Sequence, residues 1–482
     1  MEYEIVIGLE IHIQLLTESK MFCSCSTEYI GKEPNTNICP VCLGLPGSLP
    51  VMNGKALEYA VTTALAFHCD VNKYSRFHRK NYFYPDLPKA YQISQYDIPI
   101  GVGGYISFIT KDGREEKVNL VRVHMEEDAG KLIHEGGHSF VDYNRAGVPL
   151  LEIVTQPDIR SPEGARLFLT ELRNIVRYLG VCDGNMEEGS LRCDANISVR
   201  PKGEEKLGVK VEIKNLNSFR SVKRALEYEA ERQIRAIENG EPIVQETRHF
   251  DEANGITTSM RGKEEASDYR YFPEPDLPPL ILDDDFINKL RDHMPQVPEQ
   301  RRKKYREEFG LPPYDAYVLA SSKELGDYYE EAVSHYNNPK PLSNWIMGEL
   351  LGYLNKEGIS IDNSPIEPLR IAKLVKMVED GTITGKLGKE IFEKMMKDKR
   401  DPETIMKEEG LTQITDESDI RSIINKVIDN NPKSLKDYKK GKKNAFNFLI
   451  GQVMRETRGR ANPQVVRKVL TEELEKRVKD DK

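Results

Sequence analysis

Ile5-Val-Ile-Gly-Leu-Glu-Ile-His-Ile-Gln-Leu15 decides the fold class. The odd positions Ile5, Ile7, Leu9, Ile11, Ile13 and Leu15 are all apolar, whereas the even ones include Glu10, His12 and Gln14. Successive side chains of a strand point to opposite faces. This period of two therefore puts Glu10 and His12 on one side of a strand whose other side is hydrocarbon. Three later segments repeat the design. Val121, Val123 and Met125 alternate with Arg122, His124 and Glu126; Leu191, Cys193, Ala195, Ile197 and Val199 alternate with Arg192, Asp194, Asn196, Ser198 and Arg200. Val209, Val211 and Ile213 alternate with Lys210, Glu212 and Lys214. Four such strands predict an antiparallel sheet with one buried and one charged face. Taken singly, each reads as a solvated outer face. Taken together they do not, because a wet face favours Lys, Thr, Ser and Gln. This one carries Glu10, His12, His124, Glu126, Asp194, Asn196 and Glu212, side chains able to ligate hard cations. Carboxylates in that number repel a nucleotide triphosphate unless Mg²⁺ lies between them. The face therefore reads as a metal-nucleotide site, with Arg192, Asn196 and Lys214 placed to meet the remaining phosphate charge.

Beyond this sheet the chain is punctuated by Gly, Pro and Asn up to about residue 285, with one long helical run at Ser218–Ile237. Tyr271-Phe-Pro-Glu-Pro-Asp-Leu-Pro-Pro-Leu280 is too rich in proline for regular structure. From about Met294 the apolar spacing becomes helical, and Asp401-Pro402 opens a smaller helical unit. The expected organisation is an α+β N-terminal domain built on antiparallel sheet (1–290), an all-α helical domain (291–403) and a small all-α tail domain (404–482).

The seven cysteines divide into two groups. Cys23, Cys25, Cys39 and Cys42 form C-x-C-x13-C-x2-C, two close pairs that can close a tetrahedral four-thiolate shell around Zn²⁺. Such a shell leaves no open position, so its role is structural. Cys69, Cys182 and Cys193 read as small core residues. Gly101-Val-Gly-Gly104 lacks the helix of a dinucleotide site and reads as a turn. Ala320-Ser-Ser-Lys323 has no companion motif for a Ser-Lys dyad, and the chain contains no P-loop.

Hydrophobic residues make up 38% of the 482, which excludes disordered, collagenous and disulfide-scaffold classes. No stretch approaches the ~20 apolar residues of a membrane helix. The acidic start Met1-Glu-Tyr-Glu runs straight into the first strand and reads as no signal peptide, and the odd cysteine count fits a reducing, cytoplasmic setting. The net charge of -8 is unevenly placed. Lys433–Lys468 holds eleven Lys/Arg against two acids, a net +9 that leaves -17 for the remainder. A basic helical tail on an acidic body is suited to a phosphate backbone. Within it Lys442, Lys443, Arg455, Arg458 and Arg460 are the candidate contacts. Aromatic residues are sparse there, and Phe446 and Phe448 read as core, which favours folded RNA over a stacked single strand.

Several longer motifs carry a family resemblance. They are Val6-Ile-Gly-Leu-Glu-Ile-His12, Arg79-Lys-Asn-Tyr-Phe-Tyr-Pro-Asp86, His124-Met-Glu-Glu-Asp-Ala-Gly130 and Val141-Asp-Tyr-Asn-Arg-Ala-Gly-Val-Pro-Leu-Leu-Glu-Ile153. Glu187-Glu-Gly-Ser-Leu-Arg-Cys-Asp-Ala-Asn196, Asp268-Tyr-Arg-Tyr-Phe-Pro-Glu-Pro-Asp276 and Gly451-Gln-Val-Met-Arg-Glu-Thr-Arg-Gly-Arg-Ala-Asn-Pro463 complete the set. Over essentially the whole chain these resemble the B subunit of the bacterial/archaeal-type glutamyl-tRNA(Gln)/aspartyl-tRNA(Asn) amidotransferase, the GatCAB complex.

The resemblance implies a kinase-like "cradle" domain, a helical domain and a tRNA-binding tail. It implies an ATP-dependent carbon–nitrogen ligase that phosphorylates the side-chain carboxylate of Glu or Asp esterified to tRNA. Ammonia released from glutamine by a separate amidase subunit then displaces phosphate. It carries the catalytic and Mg²⁺ roles onto Glu10, His12, Glu126, Asp194 and Glu212, with Glu127 as a substitute for Glu126. The implied partners are the amidase subunit, a small third subunit, misacylated tRNA(Gln) or tRNA(Asn), and a non-discriminating aminoacyl-tRNA synthetase. The Cys₄ zinc site occurs in only some members of this family. The competing reading is a non-catalytic, zinc-stabilised tRNA-binding scaffold, which the carboxylate face argues against because it repels phosphates.

Overall fold

The computed structural model describes residues 2–110, 112–260, 269–411, 414, 416–439, 442–457 and 459–479, without the side chains of 443 and 479. The chain divides into two compact units, Met1–Gln300 and Arg301–Lys482.

The first unit is built on a 13-stranded sheet among the described residues. The strands that frame the site are β1 (Tyr3–Gln14), β2 (Phe77–Asn81), β3 (Tyr91–Gln95), β4 (Glu115–Glu127), β5 (Pro149–Thr155), β6 (Leu191–Pro201), β7 (Val211–Lys214), β8 (Glu246–Asp251) and β9 (Ile256–Ser259). Their order across the sheet is β9-β8-β7-β6-β1-β5-β4-β3-β2. The alternation in β1 is realised as expected. Ile7, Leu9, Ile11 and Ile13 are at most 1% exposed, and β1 pairs antiparallel with β6 from Tyr3↔Pro201 to Ile13↔Leu191.

Two features of the sheet depart from the four-strand expectation. β5, which is not one of the four alternating segments, lies between β1 and β4. The sheet is antiparallel along this path except that β7 and β8 run parallel, making it mixed. The proline-rich segment contributes the two-residue strand Phe272–Pro273, paired to β2, and at its end Leu280 enters the two-residue strand Leu280–Ile281, paired with Tyr74–Ser75 outside this sheet.

The apolar face is covered by α2 (Pro162–Tyr178) and α3 (Phe219–Glu238), with α1 (Gly54–Ala66) in the same core. α3 is the helix the sequence predicts, started by the Ser218 side chain accepting from Ser221 N–H. The two other helices lie outside the expected helical run, although α2 carries a start signal in Ser161-Pro162 and buries Ala165, Leu169, Leu172 and Val176 at helical spacing. The Gly101–Gly104 stretch turns only in its second half: Gly101–Val102 is a short strand paired with Asp70–Val71 and with β4, and the chain bends at Gly103 and Gly104. Gly104 has no room for a side chain. Its φ is +85°, and a Cβ there would lie 2.4 Å from Phe67 O.

The second unit is helical and has two apolar cores. The first gathers Tyr305, Tyr329, Leu350, Leu374 and Ile391, and helix Pro402–Glu408 adds Ile405 to it. The second forms where helices Glu417–Asn430, Lys443–Glu456 and Pro463–Lys479 pack through Ile424, Leu449, Val453 and Leu470. Phe446 is partly buried there, but Phe448 is 46% exposed and does not belong to the core. It follows Phe446 by two positions, which on a helix turns it to the opposite side. No helix among the described residues is long and apolar enough to cross a membrane.

Candidate functional site

The ladder fixes which side chains meet. Glu10 faces Asp194 on β6 and Val154 on β5; His12 faces Arg192 and Glu152. Glu152 in turn faces His124 on β4, and Leu150 faces Glu126. Asn196 lies between Gly8 and Glu212. Directly opposed residues share a face, so these side chains project together across five strands.

At the centre His12 Nε2 is 3.3 Å from Glu126 Oε1 and 3.4 Å from Glu152 Oε2. His124 Nε2 is 3.6 Å from Glu126 Oε2 and 3.4 Å from the same Glu152 oxygen. Ligand atoms of Glu10, His12 and Glu152, and of His124, Glu126 and Glu152, lie within 4.8 Å of one another in each trio. Glu152 is the residue common to both. His124, Glu126 and Glu152 are buried, so the face is not simply wetted by solvent.

The electrostatics couple these carboxylates to the two histidines. Burial pushes the Glu10 carboxyl up, and the Glu152 and Asp194 charges add to that against the opposing His12. Burial also works against the charged form of His12, but hydrogen bonds to Glu126 and Glu152 outweigh it and raise the imidazole to about 10. Burial opposes ionisation of Glu126 as well, and contacts to both histidines hold it well below the ordinary carboxylate range. Arg122 Nε donates to His124 Nδ1 at 3.2 Å, so a neutral His124 carries its proton on Nε2, directed at the carboxylates. That makes His124 a donor that orients Glu126 and Glu152, and leaves His12 as the candidate nitrogen ligand.

A second group adjoins Glu10 through Asp194. Lys214 Nζ is 2.8 Å from Asp194 Oδ2 and 3.3 Å from Glu212 Oε1. Thr247 on β8 donates to Glu212 Oε2 at 2.8 Å. Arg192 does not join either group. It donates to Asp128 Oδ2 at 3.0 Å, an oxygen that also accepts from Gln14 Nε2 at 2.9 Å. Nor does Glu127 join, because it opposes Glu126 and pairs with Lys89, accepting from Ile93 N–H as well. The family models described as "GatB/GatE catalytic domain" and "GatB domain" match residues 5–288 and 327–474. Relatives named as the B subunit of aspartyl/glutamyl-tRNA(Asn/Gln) amidotransferase agree. One from Persephonella marina is 56% identical over 475 residues, covering 98% of this chain and 100% of its own length. Another, from Carboxydothermus hydrogenoformans, is 54% identical over 480 residues, covering 98% and 99%. The chain belongs to the GatB family.

In this GatB-family chain the four cysteines of the C-x-C-x13-C-x2-C pattern converge, their Sγ atoms lying within 4.8 Å of one another. Cys39 N–H donates to Cys42 Sγ at 3.1 Å. A hydrogen bond from Cys23 is the largest influence drawing the Cys42 thiol down to about 5, and that same bond pushes Cys23 up. The donor set fits a tetrahedral soft cation such as Zn²⁺. Cys69, Cys182 and Cys193 are buried.

In the tail, Lys442 and Arg455 are exposed and Arg460 is half-buried. The Lys443 side chain and Arg458 lie outside the described residues, as does Asp268 of the Asp268–Asp276 motif. Glu152, Asp128 and Thr247 are site residues that the sequence alone does not single out. Glu152 and Asp128 sit inside the motifs that carry the family resemblance, but their spacing alone gives them no partner.

Proposed function

We propose that this chain is the carboxylate-activating subunit of a tRNA-dependent amidotransferase, an ATP-dependent carbon–nitrogen ligase acting on Glu-tRNA(Gln), Asp-tRNA(Asn) or both. The observation that carries the reading is the convergence of Glu10, His12, Glu126 and Glu152 on one sheet face, with Asp194, Glu212 and Lys214 adjoining. A side-chain carboxylate is a poor acyl donor. Its oxygen attacks the γ-phosphorus of ATP and ADP leaves; ammonia then adds to the acyl carbon, and phosphate departs with the C–O bonding pair as one proton is lost. Mg²⁺, when bound by Glu10, His12, Glu126 and Glu152, supplies charge neutralisation for the transferring phosphoryl group. Asp194 and Glu212 hold the Lys214 ammonium on this face, where it would meet a phosphate oxygen, and Asn196 lies between Gly8 and Glu212 on the same face. Arg192, pinned by Asp128, borders the site as a fixed positive charge.

The reading implies an amidase subunit to release ammonia, since no glutaminase nucleophile emerges from the sequence. It further implies a small third subunit, an aminoacyl-tRNA synthetase contact and a cytoplasmic location. The Cys₄ centre holds structural Zn²⁺. The division into cradle (1–290), helical (291–403) and tail (404–482) parts belongs to the same proposal.

Hydroxylamine tests the central step. The purified chain assembled with its amidase partner, given ATP and misacylated tRNA but no glutamine, should yield ADP and, in equal amounts, the side-chain (γ- or β-) hydroxamate, which is counted apart from the α-hydroxamate that hydroxylamine forms from the tRNA ester without ATP. ADP without the side-chain hydroxamate would refute acyl phosphate formation. The tail makes a separate prediction. Replacing Lys442, Arg455 and Arg460 with Ala in the assembled complex should weaken tRNA binding and flatten its dependence on salt, by about 0.9 in logarithmic slope for each phosphate no longer neutralised. Equal slopes would remove the tail from the tRNA interface.

A further inference from the structure

Lys20 is completely buried, at 0% exposure, and ranks among the largest fully buried side chains of the protein. Its ammonium donates to Asn37 O at 2.8 Å and lies 3.9 Å from Cys42 Sγ. No carboxylate pairs with it among the described residues. A buried ammonium without an anionic partner is strongly unfavourable, and a backbone carbonyl supplies only part of what water did. The missing anion is at hand if the four cysteines hold zinc, because four thiolates around Zn²⁺ carry a net charge of -2. The backbone ties the lysine to that loop as well, its N–H donating to Cys25 O at 2.9 Å.

We propose that Lys20 is the charge-compensating partner of the Cys₄ centre, a positioning residue that holds the metal in place through the Cys42 sulfur. This rests on the zinc reading above. The ammonium, supported by Asn37 O on its other side, donates to a sulfur that already accepts the Cys39 N–H. Both donors draw electron density from that sulfur, weakening it as a nucleophile toward alkylating or oxidising reagents. A Zn(Cys)₄ group of net charge -2 places more negative charge against the ammonium than the metal-free loop does, so the lysine contributes more with zinc bound than without it.

That dependence on the metal predicts a larger effect with zinc than without it, which a lysine serving only as packing would not give. In the full-length chain, Lys20→Met should release zinc to a competing chelator at least tenfold faster than the wild type. Relative to the wild type, it should lose more in melting temperature when both hold zinc than when both are stripped of it under reducing conditions. Lys20→Gln keeps a hydrogen-bond donor without the charge. It should follow Met in zinc release, and it carries the same test should the Met variant not fold. In the Co²⁺-substituted protein, loss of the ammonium should move the thiolate-to-cobalt charge-transfer band to lower energy. Wild-type release rates in Lys20→Gln, or a melting temperature lowered equally with and without zinc, would overturn the role of Lys20. A wild-type chain that binds no zinc would instead overturn the zinc reading itself.

Discussion

Glu152→Gln is expected to lower ATP-dependent amidation by about 10³-fold in the assembled complex while leaving tRNA affinity unchanged. Glu152 Oε2 lies 3.4 Å from the Nε2 atoms of both His12 and His124, and Oε1 accepts from Arg122 Nη2 at 3.1 Å. It is the one carboxylate shared by both trios, so its loss removes a charge from each of them. Glutamine preserves shape but removes the charge, and its amide nitrogen meets donors on at least one side. His12 loses one of the two carboxylates that raise it to about 10. Tail residues contribute nothing to this step, hence the unchanged tRNA affinity. Glu10→Ala and Glu212→Ala should share the phenotype, because Glu10 completes one trio and Glu212 holds Lys214. Thr247→Val, which removes only the hydrogen bond to Glu212, should cost about tenfold. The measurement is ADP and amidated tRNA formed per unit time with all three substrates saturating. A Glu152→Gln rate within about threefold of wild type would refute the metal-nucleotide assignment of this face.

The residues involved explain how much of this could be read from the sequence. β1 is legible because its odd positions from Ile5 to Leu15 are all apolar while Glu10, His12 and Gln14 alternate with them, so the period of two is uninterrupted from Ile7 onward and only Val6 breaks it. β5 is not, because Leu150 shares a face with Glu152 and is buried beside it, with Leu151 and Ile153 filling the other side. A strand apolar on both faces shows no alternation, and its one carboxylate looks incidental. The pairing of Arg192 with Asp128 spans 64 positions, and that of Thr247 with Glu212 spans 35. Such contacts are products of strand order, which local periodicity does not contain. The cysteine cluster is the opposite case, since its four ligands lie within twenty residues and chelation needs only a turn. α1 is illegible for a different reason. Its Ala- and Thr-rich sequence, Gly54–Ala66, is buried around much of its circumference, which blurs the helical stripe.

Stripping zinc from the chain should open the segment between β1 and α1 without melting the sheet. Residues 16–52 contain no helix and, apart from the isolated Ser19↔Ser26 bridge, no strand pairing. The segment is anchored at its ends. Met21 N–H donates to Gly147 O at 2.8 Å, Val51 N–H to Phe22 O at 3.0 Å and Asn53 N–H to Met21 O at 2.9 Å, and Met21 and Phe22 are packed into the core. Between these anchors, Cys23–Cys42 has little apolar burial to offset the entropy of an ordered loop of about 1–2 kcal/mol per residue. A structural zinc contributes about 10 kcal/mol or more to folding in small zinc modules. Even a third of that is about 3 kcal/mol, or about a hundredfold in the open population. Exposed Lys32 provides the probe. Trypsin should cut there at least about a hundredfold faster in chelator-treated, reduced protein than in zinc-loaded protein, if cleavage follows the open population. The Cys39→Ser, Cys42→Ser double variant should be cut at the fast rate whether or not zinc is supplied, which separates metal loss from a direct action of the chelator. Equal cleavage in all three preparations would mean that the anchors at Met21, Phe22 and Asn53 hold the segment by themselves, and would refute a structural role for the metal.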